Sequence, residues 1–257
     1  MQKIENIFYT ESRIASQSLD LYLPDGDTFP VLVYFHGGGL VRGDKAKAVF
    51  YEELQEKGVA VISANYRMYP EAAYPDFLKD AAMVVAWAYR HMGQYGKVTG
   101  VFVGGSSAGG YITQMLCFDK KYLMLHDIDA DAISGYIMDA GQPTTHFNVL
   151  KERGIDSRRV IVDEAAPLYH VAAGRAYPPM MIIVSDHDME NRFEQTQLLI
   201  STLRHFGCDM ERVDYRLMEN CSHCQYTRRD DEVFKGVFSQ MVCEFIRRYL
   251  NLKEEML

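Results

Sequence analysis

From about residue 30 onward, short continuous apolar runs alternate with helix-length segments. The runs are Val31 to Phe35, Val59 to Ala64, Val101 to Val103, Ile133 to Met138 and Met180 to Val184, with a weaker one at Val213 to Met218. Apolar runs of this length predict strands buried on both faces. Between them the pattern predicts helices over Ala46 to Lys57, Pro75 to Met92, Ala108 to Phe118, Phe193 to Phe206 and Glu232 to Leu250. In the last, Val233, Val237, Met241, Phe245 and Tyr249 recur every four residues, which leaves one apolar face. Two further strands are expected near the start, Ile4 to Thr10 and Ser18 to Leu23. In the second, Leu19, Leu21 and Leu23 alternate with Asp20 and Tyr22, the pattern of a half-buried antiparallel strand. A turn follows at Pro24 to Asp27. This alternation predicts an α/β fold, a mostly parallel twisted sheet with helices on both faces. Ligand sites in such sheets lie beyond the C-terminal ends of the strands.

The residues just past those ends carry the candidate chemistry. Val101 to Val103 runs into Gly104-Gly105-Ser106-Ser107-Ala108-Gly109-Gly110, which contains the pattern G-x-S-x-G between a strand and a helix. A nucleophile on so tight a turn needs neighbours almost without side chains, and a helix N-terminus behind it favours developing negative charge. Ser107 is therefore the candidate nucleophile. A dinucleotide loop fails, because Ser106 and Ser107 stand where its second glycine belongs. Val31 to Phe35 ends in His36-Gly37-Gly38-Gly39. Three glycines at a strand end suit a backbone that offers N–H groups to an oxyanion. The expected hole is formed by the N–H groups of Gly37, Gly38 and Ala108. A carboxylate within Asp186-His187-Asp188 could orient a histidine, and His223, after the sixth run, could reach the serine. The order Ser, Asp, His suits a serine hydrolase on this kind of sheet.

Together these residues resemble the α/β-hydrolase superfamily, in particular hormone-sensitive-lipase-like esterases and small bacterial acetyl- and feruloyl-esterases. His36 to Gly39 matches the HGGG motif, and Gly105 to Gly110 is similar to GDSAGG with Ser106 in place of the aspartate. Tyr66 to Glu71, Tyr74-Pro75 and Asp80 look like the family's YRLAPE…FP…D segment. Pro178-Pro179 leading into Asp188 resembles the strand that delivers the acid. The resemblance runs from about residue 18 to the C-terminus and implies a catalytic triad of Ser107, Asp188 and His223, with Asp186 as the competing acid. It implies hydrolysis of short-acyl esters, acetylated or feruloylated carbohydrate among them, through an acyl-enzyme. Leu40, Tyr111, Phe147 and Met189 are expected in the pocket wall, with core packing as the other reading. Larger relatives carry a cap. Here a single domain over 1–257 is expected, its cap absent or reduced to a small lid within 142–167, where an ordinary connecting helix is the alternative.

Composition narrows the picture further. With a net charge of −8 and 48% hydrophobic residues, the chain has an ordinary globular composition, and its acidic balance argues against a nucleic-acid partner. No run approaches the roughly 20 apolar residues of a membrane span, and the N-terminus lacks a signal-peptide pattern. Five cysteines, an odd number, are expected as reduced thiols of a cytoplasmic protein. Cys221 and Cys224 flank His223, but no second Cys/His pair stands at zinc-binding spacing, so neither metal nor cofactor is expected. A small-molecule ester is the expected partner, and a homodimer is compatible with the sequence. Two other readings stay open: amide hydrolysis on the same triad, as in a formamidase or peptidase-like enzyme, and a non-catalytic binding protein on a hydrolase scaffold.

Overall fold

A computed structural model describes residues 1–46, 50–228 and 231–250. Among the described residues, eight strands form one sheet: β1 (Gln2–Phe8), β2 (Ser18–Leu23), β3 (Thr28–Phe35), β4 (Ala60–Ala64), β5 (Lys97–Ser106), β6 (Gly135–Asp139), β7 (Met180–His187) and β8 (Val213–Ser222). Their order is β1-β2-β4-β3-β5-β6-β7-β8. The pairs β1/β2 and β2/β4 are antiparallel, and every other pair is parallel. The helices are α1 (Phe50–Glu56), α2 (Asp76–His91), α3 (Ala108–Phe118), α4 (Lys121–Met124), α5 (Phe147–Glu152), α6 (Arg192–His205) and α7 (Val237–Leu250).

The apolar runs work because a strand shows alternate residues to opposite faces. In β3, Val31, Val33 and Phe35 join the core that packs under α2, α3 and α6, while Leu32 and Tyr34 join the core under α1 and α7. In β5, Val101 and Val103 take the first face and Phe102 the second. Helices on both faces therefore explain why these strands carry no polar side.

The same geometry corrects the expectation for β2. Its boundaries are as expected and it is antiparallel, but it is buried throughout rather than half-buried. β2 lies one strand in from the edge, so its second face also packs. There Tyr22 meets the Tyr51 ring at 5.4 Å, and the buried Asp20 receives the Lys45 ammonium at 2.6 Å. The helix expected from Ala46 appears as α1 from Phe50, and residues 47–49 lie outside the described residues. α7 begins at Val237 rather than Glu232: Gly236 adopts φ +74°, and Val233 lies outside the helix, 79% exposed. The short helix α4 was not anticipated, while α5 falls within 142–167, where a connecting helix was the alternative to a lid. No helix among the described residues is long and apolar enough to cross a membrane.

Candidate active site

The C-terminal ends of β3, β5, β6, β7 and β8 deliver the site. Between β5 and α3, Ser107 is held at φ 56° and ψ −111°, a backbone region costly for a residue with a side chain. Close crossing of backbones makes this turn affordable only with glycine. A Cβ on Gly109 would lie 1.9 Å from the Phe35 carbonyl oxygen, and one on Gly105 would lie 2.5 Å from the Gly109 carbonyl carbon. The Ser107 N–H donates to the Asp139 carbonyl at 2.8 Å, which fixes the turn to the end of β6.

His223 follows β8 and Asp188 follows β7. The His223 Nε2 lies 2.9 Å from Ser107 Oγ, and its Nδ1 lies 2.5 Å from Asp188 Oδ1. The Asp188 side chain is wholly buried, and the His223 side chain is 24% exposed. Asp188 also accepts the Met189 N–H at 2.7 Å and the Ser185 N–H at 3.4 Å, which orients its carboxylate. The competing acid, Asp186, faces another way. It accepts the N–H groups of Asn220 and Cys221 at 2.8 and 3.1 Å, which fastens β7 to the end of β8. Those bonds hold its carboxyl below the usual carboxylate range.

The HGGG segment lies against the nucleophile: a Cβ on Gly37 would be 3.2 Å from that of Ser107. Gly38 has φ +118°, and a Cβ there would stand 1.8 Å from the Arg42 carbonyl oxygen. Surrounding residues brace this loop. The Tyr66 hydroxyl donates to the His36 carbonyl at 2.8 Å, and its ring stacks on the His36 imidazole. The Tyr69 N–H donates to the Leu40 carbonyl at 2.9 Å. Arg67, between them, is clamped by the fully buried Asp80 through two bonds of 2.8 and 2.9 Å. The Tyr66 to Asp80 block thus acts as a brace behind the glycine loop. From the other side, the Asn148 side-chain amide donates to the Gly39 carbonyl.

A cavity of about 570 Å³ opens at Ser107 and His223. Phe50, Tyr51, Phe147 and Met189 give it a mostly apolar wall, and the exposed Arg42 and Arg228 stand at its edge. Of the four residues expected in a pocket wall, Phe147 and Met189 line this cavity. Leu40 and Tyr111 do not. Leu40 turns inward at φ 64° and is fully buried in the main core. Tyr111 points from α3 into the same core, where its hydroxyl donates to the Ala165 carbonyl at 2.7 Å. Within 142–167, Gln142, Thr144, Thr145 and His146 are buried, α5 is the α-helix, and a 3-10 turn begins at Pro167. Burial raises the Cys224 thiol well above its ordinary value, with the Asp139 and Asp188 carboxyls adding to the effect, so it is a neutral thiol beside His223.

Residues 19–132 match the family model described as BD-FAE. Among solved structures, esterase B from Lactobacillus rhamnosis superposes with a TM-score of 0.78 at 19% identity, covering 95% of this chain and 85% of that one. The chain has an α/β-hydrolase fold. Sequence relatives of the chain include tuliposide A-converting enzyme b1 of Tulipa gesneriana, 31% identical over 136 residues. That match spans 46% of this chain and 34% of the tulip protein. Carboxylic ester hydrolase LipN of Mycobacterium tuberculosis is 36% identical over 101 residues, spanning 37% of this chain and 27% of its own length. The chain thus spans about a third or less of the length of these curated relatives.

Proposed function

We propose that this protein is a serine carboxylesterase. The observation that carries the reading is the hydrogen-bonded line from Ser107 through His223 to Asp188, at 2.9 and 2.5 Å, on a strained turn facing an open cavity. Esterase relatives over the N-terminal half support it.

In this reading Nε2 of His223 takes the Ser107 proton while Oγ bonds to the ester carbonyl carbon. The carbonyl π electrons move onto oxygen, and the N–H groups of Gly37, Gly38 and Ala108 receive the oxyanion. One such donor is worth on the order of 10²–10³ in rate. Asp188 keeps the proton on Nδ1 and stabilises the imidazolium. The tetrahedral adduct collapses, the alcohol leaves with the proton from His223, and an acyl-Ser107 ester remains. Water, deprotonated by His223, then releases the acid. The apolar wall of Phe50, Tyr51, Phe147 and Met189 suits a short acyl group or a flat aromatic one on a small, accessible ester.

The test is Ser107→Ala with p-nitrophenyl acetate, beside a panel of acyl-chain lengths, acetyl-xylan, methyl ferulate and a formyl-amide. Turnover by the wild type should be lost in the variant, and undiminished turnover refutes the assignment. Faster cleavage of the formyl-amide than of every ester would move the reading to amide hydrolysis.

A further inference from the structure

Behind Ser107 lies a buried carboxylate that the triad does not use. Asp139, at the end of β6, is wholly buried. It is the register partner of Ser106, the residue before the nucleophile. The Ser106 hydroxyl donates to Asp139 Oδ2, and the Tyr226 hydroxyl donates to Asp139 Oδ1. The Tyr34 hydroxyl meets Ser106 Oγ. Because the single Ser106 proton is committed to Asp139, Tyr34 must be the donor in that contact. Both oxygens of an ionised Asp139 are thereby matched by donors, which a buried charge requires.

The three donors come from separate parts of the site. Tyr34 precedes the glycine loop on β3, Ser106 adjoins the nucleophile, and Tyr226 lies three residues beyond His223 in the turn Gln225–Thr227. The Asp139 carbonyl also holds the Ser107 N–H.

We propose that Asp139 is a positioning residue of this hydrolase, its carboxylate binding the nucleophile turn to the turn that carries His223 and placing a fixed negative charge behind the imidazolium. The proposal rests on the esterase reading and extends it.

Burial pushes the Asp139 carboxyl up to about 6, against the lowering effect of the Ser106 and Tyr226 hydroxyls and of His223. Asp188 adds to the rise. The other ionisable groups facing this region are the Tyr34 and Tyr226 phenols and the Cys224 thiol, all raised well above their ordinary values. Arg192 is buried beside them and donates to the Ala140 carbonyl. A carboxyl that binds its proton more tightly when folded stabilises the fold as pH falls through that region. Protonating Asp139 near pH 6 therefore costs positioning rather than stability.

The experiment measures kcat, KM and the acid limb of kcat/KM on p-nitrophenyl acetate for the wild type, Asp139→Asn and Tyr226→Phe, with thermal melts of each. Both variants should lose roughly 10-fold in kcat at near-constant KM, a fraction of the 10²–10⁴ worth of a well-placed general base. In the wild type the acid limb should be steeper than one ionisation allows. In Asp139→Asn a single ionisation should remain. In Tyr226→Phe the limb should move to higher pH, because the carboxylate loses a donor. If Asp139→Asn fails to fold, Tyr226→Phe carries the test alone, since it removes one oxygen. Unchanged kcat and an unmoved limb overturn the proposal, as does a loss of kcat that follows only the melting temperature. A wild type inert towards esters and unlabelled by a fluorophosphonate sinks the esterase reading itself. An active wild type with unaltered variants sinks only this proposal.

Discussion

Replacing Asp188 by asparagine separates the two carboxylates of the 186–188 loop by function. The change keeps the shape and alters what faces the imidazole. Asp188 Oδ1 accepts from His223 Nδ1 at 2.5 Å, while the Met189 N–H donates to the same carboxylate at 2.7 Å. The Met189 N–H and Nδ1 share Oδ1, so an asparagine that keeps its oxygen there turns its NH₂ to the Oδ2 side, facing the Ser185 N–H. The ring can keep its proton on Nδ1, but the imidazolium that forms as Ser107 gives up its proton has lost the carboxylate that stabilises it. Replacing the acid of a Ser-His-Asp triad by asparagine costs on the order of 10⁴ in kcat. Asp186→Asn should leave kcat nearly unchanged, because its carboxylate meets the backbone of Asn220 and Cys221 and the His187 ring at 3.4 Å, none of which belongs to the triad. Its effect is on pH stability. The Asp186 carboxyl is depressed in the fold, so its contribution is present above the ordinary carboxylate range and lost as pH falls through the depressed value. Asp186→Asn should therefore flatten the acid end of the stability curve. The assay is steady-state turnover of p-nitrophenyl acetate with a melt of each variant. If Asp186→Asn proves the more damaging to kcat, the assignment of the acid is wrong.

Two further outcomes are expected. Asn148→Ala removes the amide bond to the Gly39 carbonyl, an ordinary bond worth about 1 kcal/mol, and should slow kcat about fivefold if the glycine loop needs that support; an unchanged kcat would mean that Tyr66 and Tyr69 suffice. Lys45→Met strands the Asp20 charge, whose partner lies at 2.6 Å with side-chain exposures of 8% and 1%, and should cost about 3–5 kcal/mol in urea denaturation. Adding Asp20→Asn should recover much of that loss, and a single variant as stable as the wild type would show that water reaches the pair.

The parts of the molecule legible in the sequence are those set by local pattern. Continuous apolar runs marked the strands because helices cover both faces, and G-x-S-x-G marked the turn because backbone crossings at Gly105 and Gly109 exclude side chains. Asp188 and His223 were legible as residues after strands, since parallel strands deliver their ends to one edge of the sheet. Side-chain direction was not legible. Leu40 and Tyr111 sit next to the motifs in sequence, yet a positive φ turns one inward and the buried face of α3 takes the other. The burial of Asp20 needed the knowledge that another strand, β1, lies outside β2.

Ser106 shows what sequence adjacency conceals. Beside the family pattern it reads as the loss of an aspartate before the nucleophile. Strand register places Asp139, 33 residues away, directly across from it. The carboxylate is supplied from the neighbouring strand, and Tyr226, 87 residues from Asp139, donates to its other oxygen. Such a compensation cannot be read from one strand, because neither residue has a partner until the sheet is assembled. It also predicts how the substitutions should couple. Ser106→Asp alone would set two buried carboxylates against each other, and like charges in one site raise a carboxyl's pKa strongly. Ser106→Asp with Asp139→Ser would return to a single carboxylate on the β5 side of the same register pair. If the two positions act as one acceptor site, the double exchange should be better tolerated than Ser106→Asp alone.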